Sequence, residues 1–509
     1  MMGRAGKGMA VFPEARLAEG GALAQGSLAR VARGVAGNFA SLAGGKLAAQ
    51  LLGFLTNAYL ARRIAPSGFG AVALAQAAMT YLTILADAGL STIAVREGSQ
   101  NPGRLAEVIR AISGLRLLLA GAGVAAGLVC AEFLPYSESS RQILRIYALS
   151  LPLTALSVDW AFRALQKMKY NALVQAAGAA VTLGLTLAWI RGPDHAVRAP
   201  VVAAASAAFG VALAAGLLKR CGYSLGVRFD RGQFRSYLGE ALPLCASSLA
   251  ITLYIQINYF IVGRVCGESE LGIYAAAARV ATVLSAAHWL YYAAMAPAFL
   301  GLYGRSDEMA RRFFRQSVRM TSILGFGLIA AGYCAAPLLV RVVFGEAYQG
   351  AAPVLRVMVV SAGIVAVAHN WAQLAIAARR ERSILKATAA GGVVNLVLCP
   401  LLAMAAGPAG AAASTLAAEV AVAAMLIWPG AAGYRGPALR TAAGACFSCG
   451  AAILAAAASA GWGAGASAAV CALVFPAFLA LTGSVRRKDW DLLLGLLSPS
   501  RLAGGARHA

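Results

Sequence analysis

Two basic residues lie inside long apolar stretches of this chain. Lys46 is set in NFASLAGGKLAAQLLGFL and Arg279 in GIYAAAARVATVLSAA. A charge at the middle of a bilayer costs about 2.5–3.5 kcal/mol on insertion scales, so embedded charges commonly mark a substrate or ion pathway. Arg62, Arg63 and Arg264, at the ends of neighbouring predicted helices, add positive charge. A cationic cavity favours an anionic ligand such as a phosphate or pyrophosphate group.

Uncharged polar residues accompany these cations at the spacing of a helix face. Gln50, Gly53 and Asn57 follow Lys46, and at 100° per residue the four positions lie within about 60° of arc. Two more stripes have this spacing: Gln76, Thr80, Thr83 and Asp87, and more weakly Ser248, Thr252, Gln256 and Tyr259. Helices with such stripes would line a hydrated cleft. We therefore predict a substrate cavity formed by Lys46, Gln50, Asn57, Gln76, Asp87, Gln256 and Arg279.

Local pairing or packing competes with a functional role at several polar positions. Ser and Thr side chains often bond their own helix or a neighbouring one. Asp87 lies near the end of its helix and could pair with a loop arginine such as Arg96. An ion pair at i, i+4 spacing is the simpler interpretation of Asp159 and Arg163. Packing or pairing is also the simpler interpretation of two embedded groups, which are His369 and Glu419.

The composition is that of a membrane protein. The 509 residues are 60% hydrophobic and 13% charged, with a mean hydropathy of +0.71, whereas a soluble chain carries about 25% charged residues. A helix that spans a bilayer needs about 20 apolar residues. We predict an all-α polytopic membrane protein with fourteen helices, at 38–61, 70–94, 108–132, 141–164, 170–190, 199–218, 240–263, 272–300, 316–338, 352–378, 387–406, 408–428, 439–460 and 464–482.

The net charge of +24 has two interpretations. Such a charge can indicate nucleic-acid binding, but most of the 44 Lys and Arg residues fall on one predicted side of the membrane. The positive-inside rule requires this bias of cytoplasmic loops. We therefore expect an inner-membrane protein with both termini in the cytoplasm and no nucleic-acid partner. Residues 1–37 lack an apolar run long enough for a signal peptide, so the first helix would be an uncleaved anchor.

The sequence lacks the motifs that would indicate catalysis or cofactor binding. No Walker A loop, H-E-x-x-H or G-x-S-x-G element is present where its chemistry would need it. Cys446 and Cys449 form a C-x-x-C in an apolar helix without His or acidic neighbours. We interpret them as small buried residues rather than a metal or redox site. We expect no enzyme activity, no metal and no cofactor. Transport would instead be coupled to a proton or sodium gradient.

An internal repeat divides the chain into two halves. NAYLARRIAPSGFGAVALAQA begins at Asn57 and NYFIVGRVCGESELGIYAAAARV at Asn258. Each copy has an Asn, an Arg six residues on, a short loop, a Gly and an Ala-rich helix. Such duplication is typical of transporters whose site lies between two repeats. The predicted domains are a cytoplasmic N-terminal segment 1–37, an N-lobe 38–218, a cytoplasmic linker 219–239, a C-lobe 240–428, two extra helices 429–483 and a basic cytoplasmic tail 484–509.

Four stretches of the chain resemble the bacterial oligosaccharide flippases of the Wzx type. They are LARRIAPSGFGAVALAQAAMTYLTILADAGLSTIAVRE from Leu60, RVCGESELGIYAAAARV from Arg264, FGEAYQGAAPVLRVM from Phe344 and GGVVNLVLCPLLAMAAGPAGAAAST from Gly391. The likeness covers about residues 38–428, in the same order and at similar spacing. This family shares a superfamily with the lipid II flippases and the multidrug and toxin extruders.

The resemblance implies two pseudo-symmetric six-helix lobes, a central cavity and alternating access by rocking lobes. It implies an undecaprenyl-pyrophosphate-linked sugar as the substrate, moved from the inner to the outer leaflet. The family pattern places an arginine at the position of Arg279, whereas Lys46 matches only the general polarity of its helix. On this interpretation, Lys46 and Arg279 attract the pyrophosphate, and the side-chain amides of Gln50, Asn57, Gln76 and Gln256 bond to sugar hydroxyls. The lipid tail stays among membrane lipids. Asp87 or His288 would couple transport to the ion gradient, and a polysaccharide polymerase or export machinery is a further expected partner.

Other functions stay open on the sequence. A lipid II flippase would use the same chemistry on a peptidoglycan precursor. A drug or cation antiporter of the same superfamily would need acidic cavity residues, and Asp87 is the one acidic residue on a predicted cleft face. A membrane-embedded sugar polymerase or ligase would need a sizeable outer loop with catalytic residues, which the sequence lacks. A membrane scaffold without transport is disfavoured by the polar stripes.

Overall fold

The computed structural model describes residues 15–133, 135–303, 307–428, 432–459, 461 and 463–482. These residues form α-helices and short 3₁₀ turns, and no strand occurs among them. The predicted tail 484–509 and the start of the predicted segment 1–37 lie outside the described residues. The rest of that segment, from Ala15, is already helical.

The helices of the described residues are named in chain order. They are α1 (Ala15–Asp87), α2 (Leu90–Gln100), α3 (Leu105–Phe133), α4 (Glu138–Leu149), α5 (Leu151–Ala155), α6 (Asp159–Ala164), α7 (Met168–Trp189), α8 (Arg198–Arg220), α9 (Arg231–Val265), α10 (Glu268–Leu302), α11 (Asp307–Phe344), α12 (Ala351–Ala377), α13 (Glu381–Ile427), α14 (Ala432–Ala458) and α15 (Ala464–Leu481).

Two of these helices each contain two predicted membrane spans. α1 reverses at Ala65, whose φ of 59° precedes Pro66, and α13 reverses at Ala406 and Gly407 before Pro408. Proline has no N–H to donate and restricts the residue before it, so a helix ends at such a pair. We call the two pieces of each helix its first and second parts.

The number of spans agrees with the prediction of about fourteen. By length and composition, nine stretches of the described helices could cross a membrane, and two of them, Gly44–Asp87 and Glu381–Ile427, contain the reversals just described. α10 and the shorter apolar helices α14 and α15 complete the set. The predicted fold class, with two six-helix lobes and two extra helices, is confirmed. The residue boundaries of the predicted domains stay predictions.

Several predicted helix boundaries were wrong. The predicted helix 70–94 ends at Asp87, because Ala88 and Gly89 both have positive φ before α2 begins. The predicted helix 141–164 is divided into α4, α5 and α6. α9 begins at Arg231, nine residues before its predicted start, because Asp230 accepts hydrogen bonds from the first free backbone N–H groups. Hydropathy locates the apolar part of a helix and misses its polar ends.

The bundle has two ends, which we name by the loops they carry. The repeat-loop face carries the reversal at Ala65 and the turn between α9 and α10. The linker face carries residues 221–230, which join α8 to α9 and pack on α3 through a hydrogen bond from the Arg228 N–H to the Arg110 carbonyl. α14 and α15 pack on the outside of α11, where Cys334, Cys449 and Cys471 are buried together. Cys446, predicted to be buried, is exposed.

The two copies of the sequence repeat touch each other at the repeat-loop face. A Cβ at Gly70 would lie 1.9 Å from the carbonyl oxygen of Glu268, and a Cβ at Gly272 would lie 2.0 Å from the carbonyl oxygen of Pro66. Pro66 and Glu268 each stand four residues before the glycine of their own copy. The contact is therefore reciprocal, as expected where two related halves meet across a pseudo-twofold axis.

Further contacts between the lobes close the repeat-loop face. Arg62 donates to the carbonyls of Val342 and Val343, where α11 ends, with 2.9 Å to the second. The Tyr348 hydroxyl donates to the Ala61 carbonyl at 3.0 Å. The backbone N–H and hydroxyl of Ser137 both donate to the Glu268 carboxylate. Arg62 is thus occupied by structural contacts rather than free to attract a ligand.

Candidate functional site

Arg279 joins the two lobes near the middle of the membrane. Its guanidinium donates a hydrogen bond to the side-chain oxygen of Gln76 in the second part of α1, at 2.5 Å. Gln76 lies eleven residues after Ala65, and Arg279 lies eleven residues after Glu268, where α10 begins. At 1.5 Å per residue both are about 16 Å from the repeat-loop face, half the thickness of a bilayer core of about 30 Å.

No carboxylate neutralises Arg279 within the described part of the chain. Its hydrogen-bond partner is a neutral amide, its Nε is buried without a partner, and it forms no ion pair there. An unpaired buried charge is costly unless a ligand or water compensates it. The Gln76 amide also donates to the Tyr147 hydroxyl of α4 at 3.4 Å, which fixes the amide in place.

A second contact between the lobes lies one turn further along α10 and involves the first part of α1. The Gln50 side chain donates to the carbonyl of Thr282 in α10 at 3.4 Å. Lys46, one turn before Gln50, is exposed and forms no hydrogen bond or ion pair with the described residues. Because α1 and α10 run in opposite directions here, Lys46 and Arg279 are separated by about 10 Å along the helix axes. The structure thus places these two cations beside the same boundary between the lobes.

Asn57 lines a different space. A cavity of about 180 Å³ lies inside the N-lobe, between α1, α4, α7 and α8. Its polar lining consists of Thr56, Asn57, Gln76, Tyr147, Thr182 and Thr186. Asn57 donates to the Gly53 carbonyl of its own helix at 2.7 Å. Gln76 therefore lies between this cavity and Arg279. The polar residues that were predicted to line one cleft are divided between the N-lobe cavity and the lobe boundary.

Asp87 has a charged partner that the sequence analysis did not identify. Its carboxylate lies 3.2 Å from the guanidinium of Arg116, a buried residue of α3, and it also accepts from the Ser91 hydroxyl. Arg96, the partner considered from the sequence, pairs with Glu240 of α9 instead. Arg116 stands in the apolar run GLRLLLAG, so its need for an acidic partner was the available signal.

Gln256 and Arg63 lie near the lobe boundary but away from Arg279. Gln256 is half-buried on α9, one turn after Thr252, whose carbonyl accepts from Tyr81 of α1 at 3.3 Å. Arg63 stacks over the ring of Tyr59 at 5.3 Å. These positions border the lobe boundary, but the described structure shows no direct bond between them and Arg279.

Several other embedded polar groups are satisfied within their own lobe. Asp159 and Arg163 form the predicted local ion pair at 3.0 Å. In the C-lobe, Asn258 donates to Thr415 at 2.7 Å and accepts from Asn395 at 2.9 Å. Asn57 and Asn258 thus both face the interior of their own lobe, although one borders an open cavity and the other a packed hydrogen-bond network.

The histidines lie away from the lobe boundary. His288 is buried and stacks on His369 at 5.8 Å, with the ring of Trp289 against both. His288 stands nine residues after Arg279 on α10, and at 100° per residue the two point to opposite sides of the helix. Around Arg279 and Lys46, the described part of the boundary therefore has cations that no acid pairs with, beside neutral amides that can donate and accept hydrogen bonds. Chemically, it is suited to an anionic group attached to a polar, hydroxyl-rich molecule.

Comparisons with known proteins match most of the chain. A family model described as polysaccharide biosynthesis protein matches residues 35–302, and a MatE model matches residues 243–401. The putative O-antigen transporter of Escherichia coli (strain K12) is 20% identical over 382 residues, covering 74% of this chain and 92% of that protein.

Two solved structures share the fold. The lipid II flippase MurJ in an inward closed conformation has a TM-score of 0.69 at 10% identity, covering 86% of this chain and 98% of that one. An inward-facing multidrug resistance transporter of the MATE family has a TM-score of 0.61 at 15% identity, covering 74% of this chain and 93% of that one. At such identities, the likeness concerns the fold alone.

Proposed function

Because the chain belongs to the polysaccharide biosynthesis protein family, we propose that it moves an undecaprenyl-pyrophosphate-linked oligosaccharide across the inner membrane by alternating access. The similarity to a putative O-antigen transporter supports a polysaccharide precursor as the substrate. A polysaccharide polymerase or export machinery would then consume the flipped product.

The observation that carries this proposal is the uncompensated Arg279 guanidinium between the lobes. Its partner is the neutral Gln76 of the opposite lobe. A pyrophosphate would compensate the charge through charge-assisted hydrogen bonds, which are roughly twice as strong as neutral ones. Lys46 lies toward the linker face on the same boundary and would meet the head group first. Gln50, Gln76 and Gln256, which lie at or beside the lobe boundary, would bond sugar hydroxyls, and the lipid tail would stay in the bilayer.

The charge of the site bears on the alternatives. A drug or cation antiporter would need free carboxylates at the lobe boundary, and Asp87 is neutralised by Arg116. A lipid II flippase would carry the same pyrophosphate, and the structural likeness to MurJ keeps it as the second candidate.

Deletion of the gene is expected to leave the lipid-linked oligosaccharide of the native polysaccharide on the inner leaflet. The physical reason is that a charged, hydroxyl-rich head group does not cross the hydrocarbon core unaided. Mass spectrometry of extracted lipids should show this precursor accumulating, and a plasmid copy of the gene should remove it. Accumulation of the peptidoglycan precursor instead would favour the second candidate, and no accumulation of either would contradict both.

We also propose that the linker face is cytoplasmic, with both termini on that side. The basic residues near that face, among them Arg96, Arg110 and Arg228, support this orientation. A reporter enzyme fused after Arg235 is expected to be active only in its cytoplasmic form. A periplasmic signal from that fusion, together with a cytoplasmic signal from a fusion in the turn near Gly345, would overturn the orientation.

A further inference from the structure

A carboxyl group lies in the middle of the C-lobe without a cation. Glu419 is in the second part of α13, twelve residues after Gly407, so it lies about 18 Å from the repeat-loop face. Its described partner is the Tyr254 hydroxyl of α9, which donates to Oε1 at 2.7 Å. Within the described residues Glu419 forms no ion pair, in contrast to Asp87.

The groups of α9 and α10 that belong to the hydrogen-bond network near Glu419 are neutral, and Arg279 of α10 bonds to Gln76 of the other lobe. Tyr254 is the α9 group that contacts it. The titratable group of α10 nearest this network, Tyr274, accepts a hydrogen bond from Asn258 at 3.2 Å. Neither can neutralise a carboxylate.

The cations and imidazoles of α12 are occupied elsewhere. Arg356 donates to the carbonyl of Tyr333 in α11 and stacks over that ring. The His369 ring stacks on that of His288 and lies 4.8 Å from that of Trp289, and it forms no ion pair with Glu419 among the described residues. Lys386, in the first part of α13, is exposed. Among the described residues, no cation of α9, α10, α12 or α13 forms an ion pair with Glu419.

This environment can hold both protonation states, at different cost. The charged carboxylate keeps one donor, the Tyr254 hydroxyl, in surroundings of low dielectric constant, whereas the neutral acid carries no charge to compensate. A carboxyl group that takes up a proton from one side of the membrane and releases it to the other must be able to adopt both the protonated and the ionised form.

Glu419 is linked through Tyr254 to α9, a helix that also contacts the N-lobe. Tyr254 lies two residues from Thr252, whose carbonyl contacts Tyr81 of the N-lobe, and two residues from Gln256 at the lobe boundary. Nearer the linker face, Tyr237 of α9 donates to Glu97 of α2 at 2.8 Å. α9 is thus held by α13 on one side and by the N-lobe on the other.

We propose that Glu419, positioned by Tyr254, is the proton-binding site that links a proton gradient to the movement of α9 between the lobes. Protonation removes the charge that the Tyr254 hydroxyl stabilises, which loosens α9 from α13 and shifts the balance between the two states of the bundle. The proton moves between water and the carboxylate oxygen, and no other bond changes. The inference rests on the proposed function only for the identity of the cargo.

The direct test is an infrared titration of the purified full-length protein in lipid vesicles. The carbonyl stretch of a protonated, buried carboxylic acid should appear as the pH is lowered and should shift in deuterated water. The Glu419→Gln variant should lose this band, and Tyr254→Phe should displace its frequency and its midpoint. Glu107→Gln, which removes an exposed carboxylate beside Arg104, should leave it unchanged. A band that persists in Glu419→Gln would overturn the proposal.

A second measurement reports the movement. In a cysteine-free background, fluorophores at the exposed Phe229 and Leu385 positions would report the distance between the lobes at the linker face. Acidification should change this distance in the parent protein, and Glu419→Gln should hold the distance of the acidic state at every pH. The same pH response in both proteins would overturn the proposed coupling. Should Glu419→Gln fail to fold, Glu419→Asp is expected to keep the band at a displaced midpoint, and an undisplaced midpoint would contradict the proposed contact with Tyr254.

The failure of this proposal can be distinguished from failure of the proposed function. An infrared band that depends on Glu419, in a protein whose deletion accumulates no lipid-linked oligosaccharide, would leave the proton site standing with a different cargo. Accumulation of the precursor, with a band independent of Glu419, would leave the flippase standing without this proton site.

Discussion

Arg279→Ala is expected to abolish export of the lipid-linked oligosaccharide while the protein stays in the membrane at its normal level. The substitution removes the cation at the lobe boundary and leaves Gln76 without its partner from the other lobe. Removing one partner of a buried, hydrogen-bonded charge pair, here the pair that Arg279 would form with the pyrophosphate, costs about 2–5 kcal/mol, which is a loss in affinity of roughly 30-fold to several-thousand-fold. The measurement is surface polysaccharide together with the accumulated precursor, in a deletion strain complemented with the variant.

Three further variants are compared with Arg279→Ala. Arg279→Lys keeps the charge but loses the forked geometry of the guanidinium, so export should be intermediate. Arg341→Ala removes an exposed arginine that pairs with Glu346 at the repeat-loop face and should export normally. Lys46→Ala should reduce export less than Arg279→Ala, because Lys46 is exposed. Normal export by Arg279→Ala would eliminate the cationic site as the basis of substrate binding.

Gly70→Ala and Gly272→Ala are each expected to prevent closure of the repeat-loop face. A methyl group at either position would lie about half a contact distance from a carbonyl oxygen of the other copy, 1.9 or 2.0 Å away. The two backbones must then separate, and overpacking of this kind costs about 1–3 kcal/mol or more. Because the two substitutions break one reciprocal contact, the double variant should cost less than the sum of the single ones.

Closure can be measured through a contact that crosses the same face. With cysteines at positions 137 and 268, where Ser137 now bonds to Glu268, a short bifunctional thiol reagent should link the lobes in the parent protein. It should do so poorly in either glycine variant. Gly121→Ala is the matched control, since a Cβ there meets nothing within 4 Å and a helical Gly→Ala change is stabilising by roughly 0.5–1 kcal/mol. Equal linking in all four proteins would show that the face closes without the glycine contact.

The sequence predicted the features that depend on spacing along one helix. Long apolar runs predicted the spans, the repeat predicted two lobes, and an arginine within an alanine-rich run marked Arg279 as an unusual residue. Gln76 was identified because it begins a polar stripe. The structure brings these two residues together across 203 positions of chain, a pairing that no single helix pattern contains.

What the sequence missed depends on packing between helices. Asp87 was assigned to the cleft, but it pairs with Arg116 of α3, because a stripe gives a direction around one helix and not the neighbour it meets. Asn57 was assigned to the same cleft and borders the N-lobe cavity instead. Glu419 was interpreted as a packing residue, and its distinctive feature, the lack of a cation, becomes visible only when α9, α10 and α12 surround it.

The unequal interiors of the two lobes have a mechanical consequence. The N-lobe holds about 180 Å³ of open space beside Asn57, whereas around Asn258 the equivalent region is filled by hydrogen-bonded side chains. Close-packed interiors resist compression, and a helix can shift into open volume without displacing its neighbours. At these two equivalent positions, the N-lobe is therefore the more compliant half of the duplicated bundle and the C-lobe the stiffer one. During alternating access, the packed region around Asn258 would keep its shape, and the helices around the N-lobe cavity would shift relative to one another.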